Sequence, residues 1–284
     1  MNKKFIIMAV FAALFFVTLP TVHAATNSLY YTFNQDGTLA ESFPMDSSSS
    51  KYFWLNSGGK MVIKNGLGGT QQGPLPAADA WRVLYGKNNP LDTGNGYYPQ
   101  NLFRFVTRST WNNLSEELPF KITKMNLTDT PNRDGYSGVL LFSRYSGDGQ
   151  NTYYAGIRQD GTAVIKKKIK IGGASSGTYF TMLQTSQIFP GTYNKTTSPN
   201  LIPQDKWMAL KLDTINQADG SVKLDLYLDQ NYNASTTRTW KLVASATDSN
   251  GKYNGTPILG AAYAGIRTDY MDVLFDNYRL TETP

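Results

Sequence analysis

Short stretches in which apolar and polar residues alternate recur along this chain, each closed by a turn signal. Leu29-Tyr30-Tyr31-Thr32-Phe33 runs into Asn34-Gln35-Asp36-Gly37, and Lys60-Met61-Val62-Ile63-Lys64 into Asn65-Gly66. A period of two bounded by Asn, Asp and Gly predicts strands and tight turns. Gly138 to Tyr145 reads as a strand. Tyr153 to Arg158 and Thr162 to Lys168 read as a hairpin across Gln159-Asp160-Gly161. A second hairpin joins Trp207–Thr214 to Ser221–Asp229. There Val222, Leu224, Leu226 and Leu228 share one face, and Lys223, Asp225, Tyr227 and Asp229 the other. Trp240 to Ala244 and Val273 to Leu280 complete the set. Ser47 to Ser50 and Gly191 to Pro203 read as surface loops. No amphipathic helix and no internal repeat is predicted. Many antiparallel strands with no dividing linker predict an all-β sandwich or jelly roll.

The N-terminus departs from this pattern. Lys3 and Lys4 precede an apolar run from Phe5 to Leu19, and Val22-His23-Ala24 gives a small-x-small cleavage pattern. Residues 1–24 therefore read as a secretory signal peptide, with residues 25–284 as one sandwich domain. The run is short for a membrane span, and no later stretch is apolar enough for one. The expected location is secreted, either extracellular or periplasmic.

Composition narrows the chemistry. Removing Lys3 and Lys4 leaves 25 basic and 21 acidic residues, a net charge of +4. That balance is too diffuse to predict a nucleic-acid partner. There is no cysteine, and the one histidine, His23, leaves with the signal. Disulfides, Ser-His or Cys-His nucleophiles and most transition-metal sites are thereby excluded from the mature chain.

Four phrases carry a resemblance: Trp207-Met-Ala-Leu-Lys-Leu, Leu224-Asp-Leu-Tyr-Leu-Asp, Trp240-Lys-Leu-Val and Gly265-Ile-Arg-Thr-Asp-Tyr-Met-Asp-Val-Leu-Phe-Asp276-Asn-Tyr-Arg-Leu280. They resemble the back sheet and closing strand of concanavalin A-like lectin/glucanase sandwiches. The resemblance covers most of residues 120–282 and implies a concanavalin A-like antiparallel β-sandwich with a glycan partner. That superfamily holds lectins, hydrolases and lyases, so the resemblance selects no activity.

The residues weigh against hydrolysis. Retaining hydrolases need two carboxylates about 5–5.5 Å apart, which the family's glucanases carry as Glu-x-Asp-x-x-Glu. The four glutamates here, Glu41, Glu116, Glu117 and Glu282, form no such pattern. Asp269 and Asp272 are the substitutes near a strand start. A lyase would need Tyr154 as base, with Arg144 and Arg158 to neutralise a uronate. Arg104 and Arg108 echo the arginines of a lyase motif without its glutamate. Binding needs less. Alternation places Tyr154, Gly156 and Arg158 on one face, Leu140, Phe142 and Arg144 on another, and Val164, Lys166 and Lys168 on a third. Aligned, these faces form a basic, aromatic strip suited to an acidic polysaccharide. Lys166-Lys167-Lys168 also reads as a solvated strand end that blunts a sheet edge.

The binding candidates are therefore Arg104, Arg144, Tyr154, Arg158 and Lys166. By the family resemblance, Asp276 on the last strand and Asp36 near the first are candidate ligands of one structural calcium, with Asn34 and Glu41 beside them. The expected role is lectin-like recognition of an extracellular polysaccharide. A tyrosine-based lyase and a structural or adhesive surface protein are the alternatives.

Overall fold

The computed structural model describes residues 27–283. The proposed signal segment, with His23, lies outside them. In chain order the strands are β1 (Ser28–Tyr31), β2 (Gly37–Ala40), β3 (Phe53–Ser57), β4 (Lys60–Lys64), β5 (Leu67–Thr70), β6 (Leu102–Trp111) and β7 (Leu114–Met125). They continue with β8 (Gly138–Tyr145), β9 (Thr152–Arg158), β10 (Thr162–Ile169), β11 (Thr178–Gln187) and β12 (Met208–Asn216). The last are β13 (Val222–Asp229), β14 (Lys241–Asp248), β15 (Ala262–Asp269), β16 (Met271–Phe275) and β17 (Tyr278–Glu282).

Two antiparallel sheets form from them, giving a β-sandwich of jelly-roll type. The larger runs β14-β13-β12-β7-β16-β5-β4-β2, with β17 bridging β7 to β1. The smaller runs β11-β10-β9-β8-β15-β6-β3. One cluster of buried side chains lies between them, including Leu118 and Phe120 from β7, Val139 and Leu141 from β8, and Ile266 from β15. The alternation read in β13 holds, since Val222, Leu224, Leu226 and Leu228 are all buried in this core. The β9–β10 hairpin also forms as expected. Gly161 takes φ +80° at its tip, and Asp160 accepts hydrogen bonds from the Thr162 N–H and hydroxyl.

Three expectations are corrected. First, a helix α1 (Ala80–Asn88) exists, capped by the Asp79 carboxylate accepting from the Trp81 N–H at 2.9 Å. A one-turn helix α2 (Pro90–Thr93) follows it. Gly86 and a weak apolar stripe hid α1 in the sequence. Second, Val273–Leu280 is not one strand. Asn277 turns left-handed at φ 48° and divides β16 from β17. Third, the lysine triplet does not blunt an edge. Strand β11 covers β10, and Lys167 is fully buried against Asp248. No helix among the described residues is long and apolar enough to cross a membrane.

Candidate functional site

The outer face of the smaller sheet carries the candidate site, and strand register builds it. Lys166 on β10 lies opposite Tyr154 on β9, which lies opposite Phe142 on β8. One row along, Leu140 on β8 lies opposite Arg267 on β15, which lies opposite Arg104 on β6. Tyr179 reaches over from β11, with its ring 5.9 Å from that of Tyr154 in an edge contact. Beneath these side chains Trp54, Val106, Leu140, Phe142 and Val164 form a second apolar layer.

Two adjoining hollows run over this layer, of about 200 and 570 Å3, and Tyr154, Tyr179 and Arg267 line both. The smaller is bounded by Asn56, Arg104, Tyr145, Asp148 and Lys168. The larger is bounded by Asp92, Asp134, Tyr136, Lys166 and Asp269. Together they make a groove across the sheet from β11 to β3. Its far rim is the helical insert. Asp92 of α2 accepts from the Thr130 hydroxyl, the Asn132 amide and the Tyr270 hydroxyl, each at 2.9 Å.

Arg267 is the best-held cation in the groove. Its Nε–H donates to both Asp269 oxygens at 2.9 Å, which leaves its two terminal amino groups without a partner among the described residues. Burial alone would pull this guanidinium down, but the Asp269 carboxylate outweighs it and keeps Arg267 charged. Lys166 lies 6.0 Å from the Tyr154 ring and 5.9 Å from the Tyr179 ring. Burial lowers its pKa, and the nearby Arg158 and Arg267 charges lower it further. Burial also raises the Tyr154 phenol well above its ordinary value, with Arg267 opposing. A phenol shifted that way holds its proton at neutral pH and is poorly suited to act as a base.

The sequence-derived candidates divide. Arg104, Tyr154 and Lys166 do share the groove. Arg158 lies on the same face but is buried, with its guanidinium 3.9 Å from the Tyr136 ring and 3.9 Å from Asp160. Arg144 does not share the face of Leu140 and Phe142. Between Phe142 and Tyr145, β8 spends two residues against one on β15 and forms a bulge with Arg144 at φ 54°. Ser143 and Arg144 therefore point inward. Arg144 donates to Asn112 and Asn216 at 2.8 and 3.0 Å and to the Gly260 carbonyl. It ties the sandwich together rather than facing the groove.

The carboxylate candidates are similarly occupied. Asp269 holds Arg267. Asp272 is buried and accepts from Gln100, Asn126 and the Gly73 N–H. Glu116 is sealed in the core against the Tyr278 hydroxyl. The two calcium candidates each accept a hydrogen bond from a neighbour. Asp36 accepts from the Asn65 N–H at 2.8 Å. Asp276 accepts from the Asn277 amide at 2.8 Å. Among the described residues no three acidic or histidine side chains converge.

Arg267, Tyr179 and Asp148 are groove residues that the sequence reading did not select. The spacing Gly265-x-Arg267-x-Asp269 was a usable signal, because alternation puts Arg267 and Asp269 on the face away from Ile266 and Thr268.

No protein-family model matches the chain, and no curated protein matches it in sequence. Solved structures do. A carbohydrate-binding module, CBM66 from Bacillus subtilis, is 13% identical with a TM-score of 0.42, over 88% of this chain and 94% of that one. LamAcat from Zobellia galactanivorans is 10% identical with a TM-score of 0.44, over 90% and 96%. A Bacillus licheniformis β-glucanase is 12% identical with a TM-score of 0.41, over 92% and 100%. These neighbours are jelly rolls of the concanavalin A-like/glucanase superfamily. At such identities and scores the likeness says nothing about chemistry.

Proposed function

We propose that this is an exported, lectin-like protein that binds an acidic polysaccharide in the groove of the smaller sheet, without catalysis. One observation carries the reading. Arg267 offers two unpartnered amino groups between Arg104 and Lys166, beside the rings of Tyr154 and Tyr179. Guanidinium forks suit carboxylate or sulfate groups, and the flanking rings give a sugar face an apolar surface. The raised Tyr154 phenol and the inward turn of Arg144 remove two of the three residues a tyrosine-based lyase would use. Export rests on residues 1–24 and their signal-peptide pattern.

Calorimetric titration with polygalacturonate, alginate, hyaluronate and heparin, against neutral dextran, tests this. The expected result is binding to at least one acidic polymer that is lost in Arg267→Ala, with no rise in ultraviolet absorbance. Absence of binding to all four acidic polymers overturns the reading, and rising absorbance converts it to a lyase.

A further inference from the structure

We propose a second saccharide site, for a neutral hexose ring, in the cleft between the edge strands β2 and β3. Strand β2 pairs only with β4 and β3 only with β6, so both sheets end here and the sandwich is open at its side. A cleft of about 340 Å3 enters between them, within the range of small-ligand sites.

Its walls are aromatic. The Tyr31 and Tyr52 rings stand 6.0 Å apart and tilted by 57°. Phe33 and Phe53 meet Tyr31 edge-on at 5.0 and 4.9 Å and hold it in place. Tyr52 is 42% exposed. Its rim is polar: Gln35, Asp36, Ser49 and Lys51. Asp36 gives one oxygen to Asn65 and keeps the other. The side chains of Gln35 and Ser49, and the hydroxyls of Tyr31 and Tyr52, hydrogen-bond to no other group among the described residues. Lys51 lies 5.4 Å over the Tyr52 ring and pairs with no carboxylate there.

Aromatic walls under a rim of exposed polar side chains match the C–H faces and hydroxyl edge of a sugar. The charges select a neutral ring. One carboxylate and one ammonium line the cleft, with no guanidinium, unlike the groove. The two sites lie close together. Tyr52, just before β3, and Asn56 on β3 are four residues apart, about 13 Å in extended chain, and Asn56 lines the groove. A polysaccharide long enough to reach both sites would gain affinity from the second contact by effective concentration.

Nuclear magnetic resonance titration of the mature chain with glucose, galactose and mannose tests the site. At tens of millimolar, at least one hexose shifts the Tyr31, Tyr52 and Gln35 resonances of the wild type. The shifts persist in Arg267→Ala and vanish in Tyr52→Ala, a change at an exposed ring that leaves the core intact. Acidic-polymer binding by the same samples reports the groove separately, so either site can fail alone. No shift with any of the three hexoses, or shifts unchanged in Tyr52→Ala, overturns the proposal.

Discussion

Arg104 and Arg267 lie directly opposite each other on neighbouring antiparallel strands, with both side chains on the groove face. Like charges so placed repel and cost stability. Asp269 offsets part of this on one side, and Ser57 accepts from Arg104 at 3.4 Å on the other. A ligand anion between them removes the repulsion. Arg267→Ala is therefore expected to weaken acidic-polysaccharide binding at least tenfold, about 1.4 kcal/mol, and to lower Tm, because it leaves the nearly buried Asp269 carboxylate without its donor. Added sodium chloride weakens wild-type binding more than that of the variant, because screening acts on charges. Titrations at two salt concentrations, with thermal melts, check both.

Asp269 is a positioning residue for this pair. Asp269→Asn keeps the size of the side chain but removes the charge that fixes the Arg267 Nε–H. The expected outcome is weaker binding with a smaller fold-loss than Arg267→Ala, and no further loss in the double variant. A double-mutant cycle measures the coupling.

Lys167 and Asp248 make a fully buried ion pair at 2.9 Å that joins the two sheets. Lys167 also donates to the Thr256 carbonyl, and the Tyr153 hydroxyl donates to Asp248. Asp248→Ala leaves a buried ammonium unpaired, so a loss of about 3–5 kcal/mol in urea-unfolding stability is expected. Removing both charges, as Lys167→Met with Asp248→Leu, recovers most of that loss.

Glu116 gives a pH dependence of defined sign. Burial raises its pKa well above the ordinary 4.5, although the Tyr278 hydrogen bond opposes the shift. The folded chain thus keeps a proton that the unfolded chain releases above pH 4.5. Stability falls as pH rises from there to the folded-state pKa, by up to about 1.4 kcal/mol per pH unit. Glu116→Gln keeps the shape without the titration. Melting curves between pH 4.5 and 8 are expected to show the variant less pH-dependent and more stable than wild type at the upper end.

Arg144→Ala is expected to cost about 2–4 kcal/mol, because it leaves the Gly260 carbonyl and the Asn216 oxygen without their donor and Asn112 with only a long bond from the Asn216 amide. Binding per folded molecule stays unchanged. Chemical denaturation alongside titration at low temperature separates the two effects.

The sequence by itself determined the local pieces: the β9–β10 and β12–β13 hairpins, the apolar face of β13, and Tyr154 and Lys166 as candidates on facing hairpin strands, whose pairing the register supplies. Period-two alternation and turn residues are local, so they are legible without the fold. Only the tertiary structure decided what meets what. Arg267 and Arg104 become neighbours because β15 inserts between β8 and β6, from more than a hundred residues away along the chain. One bulge in β8 sent Arg144 inward, since an extra residue reverses the face of everything up to the next correction. Lys167 is buried because its partner comes from the opposite sheet, and the hairpin that carries the lysine contains no trace of Asp248. Alternation says which residues share a face. Strand order and register, set by the packing of both sheets on one core, say which of those faces become a groove.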